Sequence, residues 1–207
     1  MSNSPLRNWT SLPLTVAIRT QGCKLNQADS EKLARSFADA GYSVVDWAND
    51  PDEDTWVNEG LSEVAKGLAG YDFSFIDNFA SSRTTPLINW PSSTESAPPH
   101  YGGATLFLEY LAQHYGGHSN LRSLVGLPED SIKGIDAYLS LLGYEETFDD
   151  VFKEWLVANY LDPLEIEPYY YEGVDFQVSP IEIIQQSGEY SGSIPQYAGQ
   201  YIELALK

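Results

Sequence analysis

The chain has 207 residues, enough for one good-sized domain or for a small unit followed by a medium one. Its 43% hydrophobic and 13% aromatic residues are sufficient to bury a core, which excludes disorder as the overall state. Thirty acids against 11 bases give a formal net charge of −19, a surface that repels phosphate backbones and argues against unaided nucleic-acid binding.

Residues 1–13 form a polar leader containing Pro5 and Pro13. The leader has no hydrophobic h-region, so it predicts no secretory signal and a cytoplasmic product. Leu14 to Ile18 is a short β-type run, closed by Gln21-Gly22. Asp29 or Ser30 is placed to cap a helix over Glu31–Ala40, with Leu33, Ala34 and Phe37 on one face and Gly41 at the position that ends a helix. Tyr42 to Val45 makes a second strand, so residues 14–46 predict a βαβ unit.

Composition then changes. Asp50-Pro51-Asp52-Glu53-Asp54 is an acidic helix start, and Thr55–Ala69 follows as the helix. Residues 71–99, with Pro86, Pro91, Pro98 and Pro99, predict a long ordered loop. Helical spacing returns over Ala104–Tyr115, over Ser131–Leu142 capped by Asp130, and over Thr147–Tyr160, where Thr147 and Asp150 stand at capping-box spacing. Asp162-Pro163 stops the last helix. From 166 to 207, Val174, Phe176 and Val178 alternate, Ile181 and Ile183 follow, and Tyr201, Ile202 and Leu204 close the chain. Glycines and Pro195 punctuate these runs and predict three or four antiparallel strands. The expected fold is mixed α/β (α+β): a βαβ unit over 14–46, a mostly helical region over 47–165 and a β-rich tail over 166–207. No apolar run approaches the roughly 20 residues of a membrane span, so no membrane partner is expected.

Val16-Ala17-Ile18-Arg19-Thr20-Gln21-Gly22-Cys23-Lys24-Leu25-Asn26-Gln27-Ala28-Asp29-Ser30-Glu31, continued by Gly41-Tyr42-Ser43-Val44-Val45, resembles the N-terminal domain of the radical-SAM tRNA methylthiotransferases. The resemblance implies a [4Fe–4S] cluster with Cys23 as its first ligand. In that family three cysteines hold the cluster, whereas Cys23 is the only cysteine of this chain. One thiolate cannot hold four irons.

Asp54-Thr55-Trp56-Val57-Asn58-Glu59-Gly60-Leu61-Ser62-Glu63-Val64-Ala65 resembles the second active-site helix of gluzincin-type zinc metallopeptidases. With His100-Tyr101-Gly102-Gly103 and Thr147-Phe148-Asp149-Asp150, the similarity extends over residues 47–205 to secreted bacterial peptidases of the immune-inhibitor-A-like group. It implies Glu59 as the third zinc ligand, Glu63 as the carboxylate that orients a ligand histidine, and His100 or Tyr101 as oxyanion stabiliser. Such a site also needs two histidines one helical turn apart, from a His-Glu-x-x-His helix. That helix is missing upstream of Trp47, and the three histidines, His100, His114 and His118, all lie downstream. His114 and His118 are four apart, yet Gly116-Gly117 between them predicts a helix end with a polar tip.

Both resemblances break off between Asp46 and Trp47. The expectation is therefore a composite chain, catalytically incomplete, that binds neither cofactor by itself. The alternative is a non-catalytic acidic protein- or glycan-binding module, with Trp90 and Tyr169-Tyr170-Tyr171 as a sticky surface, against the competing reading that these aromatics fill a core.

Overall fold

The computed structural model describes residues 15–18, 32, 35, 36, 38, 39, 43–46, 53–82, 84–162 and 166–205. The chain divides into two compact units between residues 49 and 50. In the smaller unit, β1 (Thr15–Ile18) and β2 (Ser43–Asp46) run parallel, with Thr15 opposite Ser43 and Ile18 opposite Asp46. Parallel neighbours need a crossover connection. Here Lys32, Arg35, Ser36, Ala38 and Asp39 are helical and exposed between the strands, and Ser36 Oγ donates to the Lys32 carbonyl at 3.0 Å. Leu33, Ala34 and Phe37, the predicted inner face, and Asp29 and Ser30, the predicted caps, lie outside the described residues.

The larger unit is helical. Its elements are α1 (Thr55–Leu68), α2 (Ile76–Ala80), α3 (Pro98–His114), α4 (Leu121–Val125), α5 (Ser131–Leu142) and α6 (Phe148–Leu161), with 3₁₀ turns at Thr94–Ser96 and His118–Asn120. α3 is the centre, since every residue from Gly102 to Ala112 is buried. A helix that is apolar around its whole circumference is one enclosed by others. Trp56 of α1, Phe107 of α3 and Phe148 and Trp155 of α6 form the aromatic heart, with ring centroids 5.3–6.0 Å apart.

α3 begins six residues before the predicted start at Ala104, because Pro98 and Pro99 occupy its first turn. Proline is suited to that position, where its missing N–H has no intrahelical acceptor to lose. The expected loop 71–99 contains the five-residue α2, too short to persist on propensity alone. It is held by Phe79, which stacks on Trp155 at 5.6 Å and on Phe176 at 6.1 Å.

Caps are supplied across the fold. Asp130 makes no side-chain cap for α5. Instead Glu53 Oε1 accepts the N–H of Ser131 at 2.8 Å and that of Asp54 at 2.8 Å, while Trp56 Nε1 donates to Ser131 Oγ at 3.0 Å. Burial raises the Glu53 pKa, and the two backbone donors oppose that rise. α6 carries its own capping box, and Asp136 Oδ1 also accepts the Phe148 N–H at 2.7 Å.

The tail corrects the expectation of antiparallel strands. Beside an isolated antiparallel bridge between Ile166 and Tyr169, the ladder among the described residues of this stretch is formed by β3 (Glu182–Ile184) and β4 (Ile202–Leu204), which are parallel, with Glu182 opposite Ile202. The connection between them leaves the sheet to pack: Leu87 N–H donates to the Tyr197 carbonyl at 2.8 Å, and the Tyr197 ring meets Phe148 at 5.2 Å and Phe152 at 5.5 Å. That excursion returns the chain to the same end of β3, so the second strand runs in the same direction. Val174, Phe176 and Val178 do alternate, buried with Asp175 and Gln177 exposed. Their backbone partners belong to the end of α6: Asp162 Oδ2 accepts the Phe176 N–H at 3.2 Å and the Asn159 carbonyl accepts the Val178 N–H at 2.9 Å.

Two outcomes follow for stability. A methyl group at Gly102 would lie 2.2 Å from the Phe75 carbonyl oxygen, whereas one at Gly192 would meet nothing within 4 Å. Gly102→Ala is therefore expected to lower urea-unfolding stability by about 1–3 kcal/mol, and Gly192→Ala to change it by no more than about 0.5 kcal/mol. Asp150 is held at about 2, below its ordinary 3.8, by the Thr147 hydroxyl first, then the Thr147 N–H and Lys153. A depressed carboxyl stabilises the fold above its unfolded pKa and loses that contribution as pH falls through the folded value. The stability difference between the natural chain and Asp150→Asn should thus be full above about pH 4 and vanish towards pH 2, read from urea midpoints.

Candidate functional site

Glu59 and Glu63 stand four apart on α1, so one helical turn places them on the same face. The neighbouring residues Trp56, Val57, Gly60 and Val64 are buried, which fixes the helix against α3 and leaves the two glutamates half-buried at the margin. Gly60 allows that approach, because a Cβ there would sit 2.9 Å from the Ala104 carbonyl oxygen of α3.

The first turn of α3 brings Tyr101 to this margin. Its phenol pKa is raised by burial first, then by the nearby Glu59 carboxylate and then by the charge of Glu63. Glu63 has its own partner, since Lys66 Nζ donates to its Oε2 at 2.9 Å and also to Ser74 Oγ. Aromatic rings hold Tyr101 from two sides: Trp90 meets it edge-on at 4.9 Å and Phe75 tilts against it at 5.2 Å. The structure therefore assembles three of the residues predicted for this site, Glu59, Glu63 and Tyr101.

His100, one residue earlier, turns elsewhere. Successive helical residues point about 100° apart, and the imidazole faces Trp90, 5.9 Å away, and the Pro86 carbonyl. Burial lowers its pKa and the Pro86 carbonyl opposes that, while its Nδ1 is buried without a hydrogen-bond partner. Cys23 lies outside the described residues.

His114 and His118 do not share a face. α3 ends at His114, and Gly116 and Gly117 take positive φ values of 105° and 85°, which glycine adopts without strain. His114 Nε2 lies 2.9 Å from the Tyr170 carbonyl, and His118 Nε2 lies 2.8 Å from Glu109 Oε1. Glu109 is buried on α3 and also accepts from Gln113 Nε2 at 2.8 Å. This clasp was not foreseen from sequence. The Glu109-x-x-x-Gln113 spacing is the one local signal for it.

Tested as a zinc site, the cluster does not fit. Lys66 is ion-paired with Glu63, Tyr101 stands beside Glu59, and among the described residues no imidazole joins them. Among the described residues no group of three or more histidine, cysteine, aspartate or glutamate side chains is placed to hold a metal ion. Of the aromatics weighed as a binding surface, Tyr171 belongs to the core, with its hydroxyl donating to Asn159 Oδ1 at 2.5 Å, and Trp90 is packed on His100 and Tyr101. No protein-family model matches the chain, and no curated protein does either.

The Glu59 carboxylate of α1 and the Tyr101 phenol of α3 stand near each other at a half-buried position. A double-mutant cycle of Glu59→Gln and Tyr101→Phe is expected to give a coupling of about 0.5–1 kcal/mol in urea unfolding, below a fully buried charged hydrogen bond because solvent screens it. Additivity of the two substitutions would mean that the contact contributes nothing.

Proposed function

We propose that the larger unit is the part of a zinc-peptidase-like catalytic domain that follows the histidine helix, and that in this chain it is incomplete as a catalyst. The observation that carries the reading is the constellation on α1 and α3: Glu59 and Glu63 one turn apart, with Tyr101 of the neighbouring helix close enough for both carboxylates to raise its pKa. A hydrolytic zinc site would take one carboxylate from such a helix, a second carboxylate behind it and a phenol near the reacting carbonyl. What this constellation lacks is two neutral imidazoles to complete the coordination and a carboxylate to activate water. Instead Lys66 of the same helix holds Glu63, and the Tyr101 phenol stands beside Glu59.

The sequence of the smaller unit carries the methylthiotransferase-like segment 14–46 with Cys23, without the further cysteines of a cluster. The boundary between the two units falls beside the point, after Asp46, at which both resemblances stop. The chain is on this reading a composite of two truncated modules. Neither tRNA methylthiolation nor peptide hydrolysis proceeds from it alone.

Metal analysis decides the matter. After zinc loading, and separately after anaerobic reconstitution with iron and sulfide, the purified chain is expected to hold no stoichiometric zinc and to show no cluster absorption band. Peptide hydrolysis should equal a buffer blank. Stoichiometric zinc that disappears in Glu59→Gln would overturn the proposal.

A further inference from the structure

Between Lys153 and Lys207 the sequence has nine aspartates and glutamates and not one lysine, arginine or histidine. β3 and β4 lie inside that stretch, each with a glutamate of its own, Glu182 and Glu203, and Lys207 closes it three residues after Leu204. β4 has β3 as its single strand neighbour among the described residues, and all three of its residues are exposed. Leu204 is 66% exposed, Ile183 53% and Ile202 43%, values that mark apolar side chains left without a cover.

The register sharpens the picture. Ile183 pairs with Glu203, and Ile184 pairs with Leu204. Paired residues share a face and successive residues alternate between faces. Along the outer side of β4 an incoming strand therefore meets an apolar position at Ile202, a carboxylate at Glu203 and an apolar position at Leu204. A second copy adding its own β4 in register would set Glu203 against Glu203, and like charges directly opposite are destabilising. A strand that places lysine or arginine at that position meets attraction in the contact.

We propose that the outer edge of β4 is a docking site for an extended, basic segment of a partner protein, one that alternates apolar residues with lysine or arginine and adds a third strand to the sheet. Backbone hydrogen bonds supply the register, Ile202 and Leu204 flank the apolar residues, and Glu203 selects the basic one. The inference concerns this edge alone and holds whether or not the larger unit takes up zinc.

The test uses the full chain and three blocked, fluorescently labelled hexapeptides: alternating valine and lysine, alternating valine and glutamate, and the first with alternate backbone nitrogens methylated. Fluorescence anisotropy is expected to show binding of the valine–lysine peptide alone. Its affinity should fall about tenfold or more between 0.05 M and 0.5 M salt, and by a similar factor in Glu203→Lys. Equal binding of the methylated peptide would reduce the effect to charge adsorption and overturn the proposal, as would binding unchanged in Glu203→Lys. Sedimentation showing that the chain self-associates through this edge, with Glu203→Lys altering the association, would assign the edge to a second copy and overturn it too.

Discussion

The larger unit depends on a helix that has no solvent face. Because α3 is buried from Gly102 to Ala112, other segments must come close on every side, and small residues permit it. Gly60 lets α1 approach the Ala104 carbonyl, Gly102 lets the Phe75 backbone approach at the start of α2, and Gly103 faces the Phe79 ring. A buried helix must also satisfy its polar side chains internally. Thr105 Oγ1 donates to the Tyr101 carbonyl at 2.7 Å, and Glu109 takes donors from Gln113 and His118. Tyr101 reaches α1 because it stands on the turn of α3 just before that enclosed stretch.

The far end of α3 governs the chain that follows α6. Gln113 holds the Glu172 backbone twice, accepting its N–H at 2.7 Å and donating to its carbonyl at 3.1 Å, while His114 meets the Tyr170 carbonyl. Asp162 at the end of α6 accepts the Tyr171 N–H at 2.5 Å and that of Phe176. Side-chain carboxylates and amides thus take the backbone donors that a neighbouring strand would otherwise take. The segment is extended and alternates in burial without belonging to a sheet, which is why a period of two overcounts strands here.

Legibility in the sequence followed the range of the interaction. Helical spacing located α1, α5 and α6 to within a residue or two, because each displays one apolar face on a polar background. The capping box of Thr147 and Asp150 is local and was readable, whereas the cap that Glu53 gives to α5 spans 78 residues and was not. α3 was located, but its start was hidden by two prolines that read equally well as loop. Strand direction in the tail is fixed by where Tyr197 packs, a tertiary fact with no signature in residues 182–204. At the site, one-turn spacing made Glu59 and Glu63 a pair. Their neighbours divide in the same way: Lys66 lies three residues from Glu63 on the same helix, whereas Tyr101 arrives from another.

The charge of −19 separates into two populations with different physics. Some acids are internal acceptors: Glu53, Glu109, Asp136 and Asp162 each take N–H donors from other parts of the chain. Glu154 takes the Tyr115 hydroxyl, and burial followed by that carboxylate pushes the Tyr115 pKa upward. A carboxylate that accepts several donors in a confined place specifies one arrangement of the elements it joins. Others, such as Glu182 and Glu203, stand exposed on strands and act through the surrounding potential. These exposed acids raise the cost of self-association at an open edge and lower that of a basic strand. An excess of one sign therefore does structural work where it is buried and sets the surface potential where it is not, and the two roles can be separated by substituting acids of one class at a time.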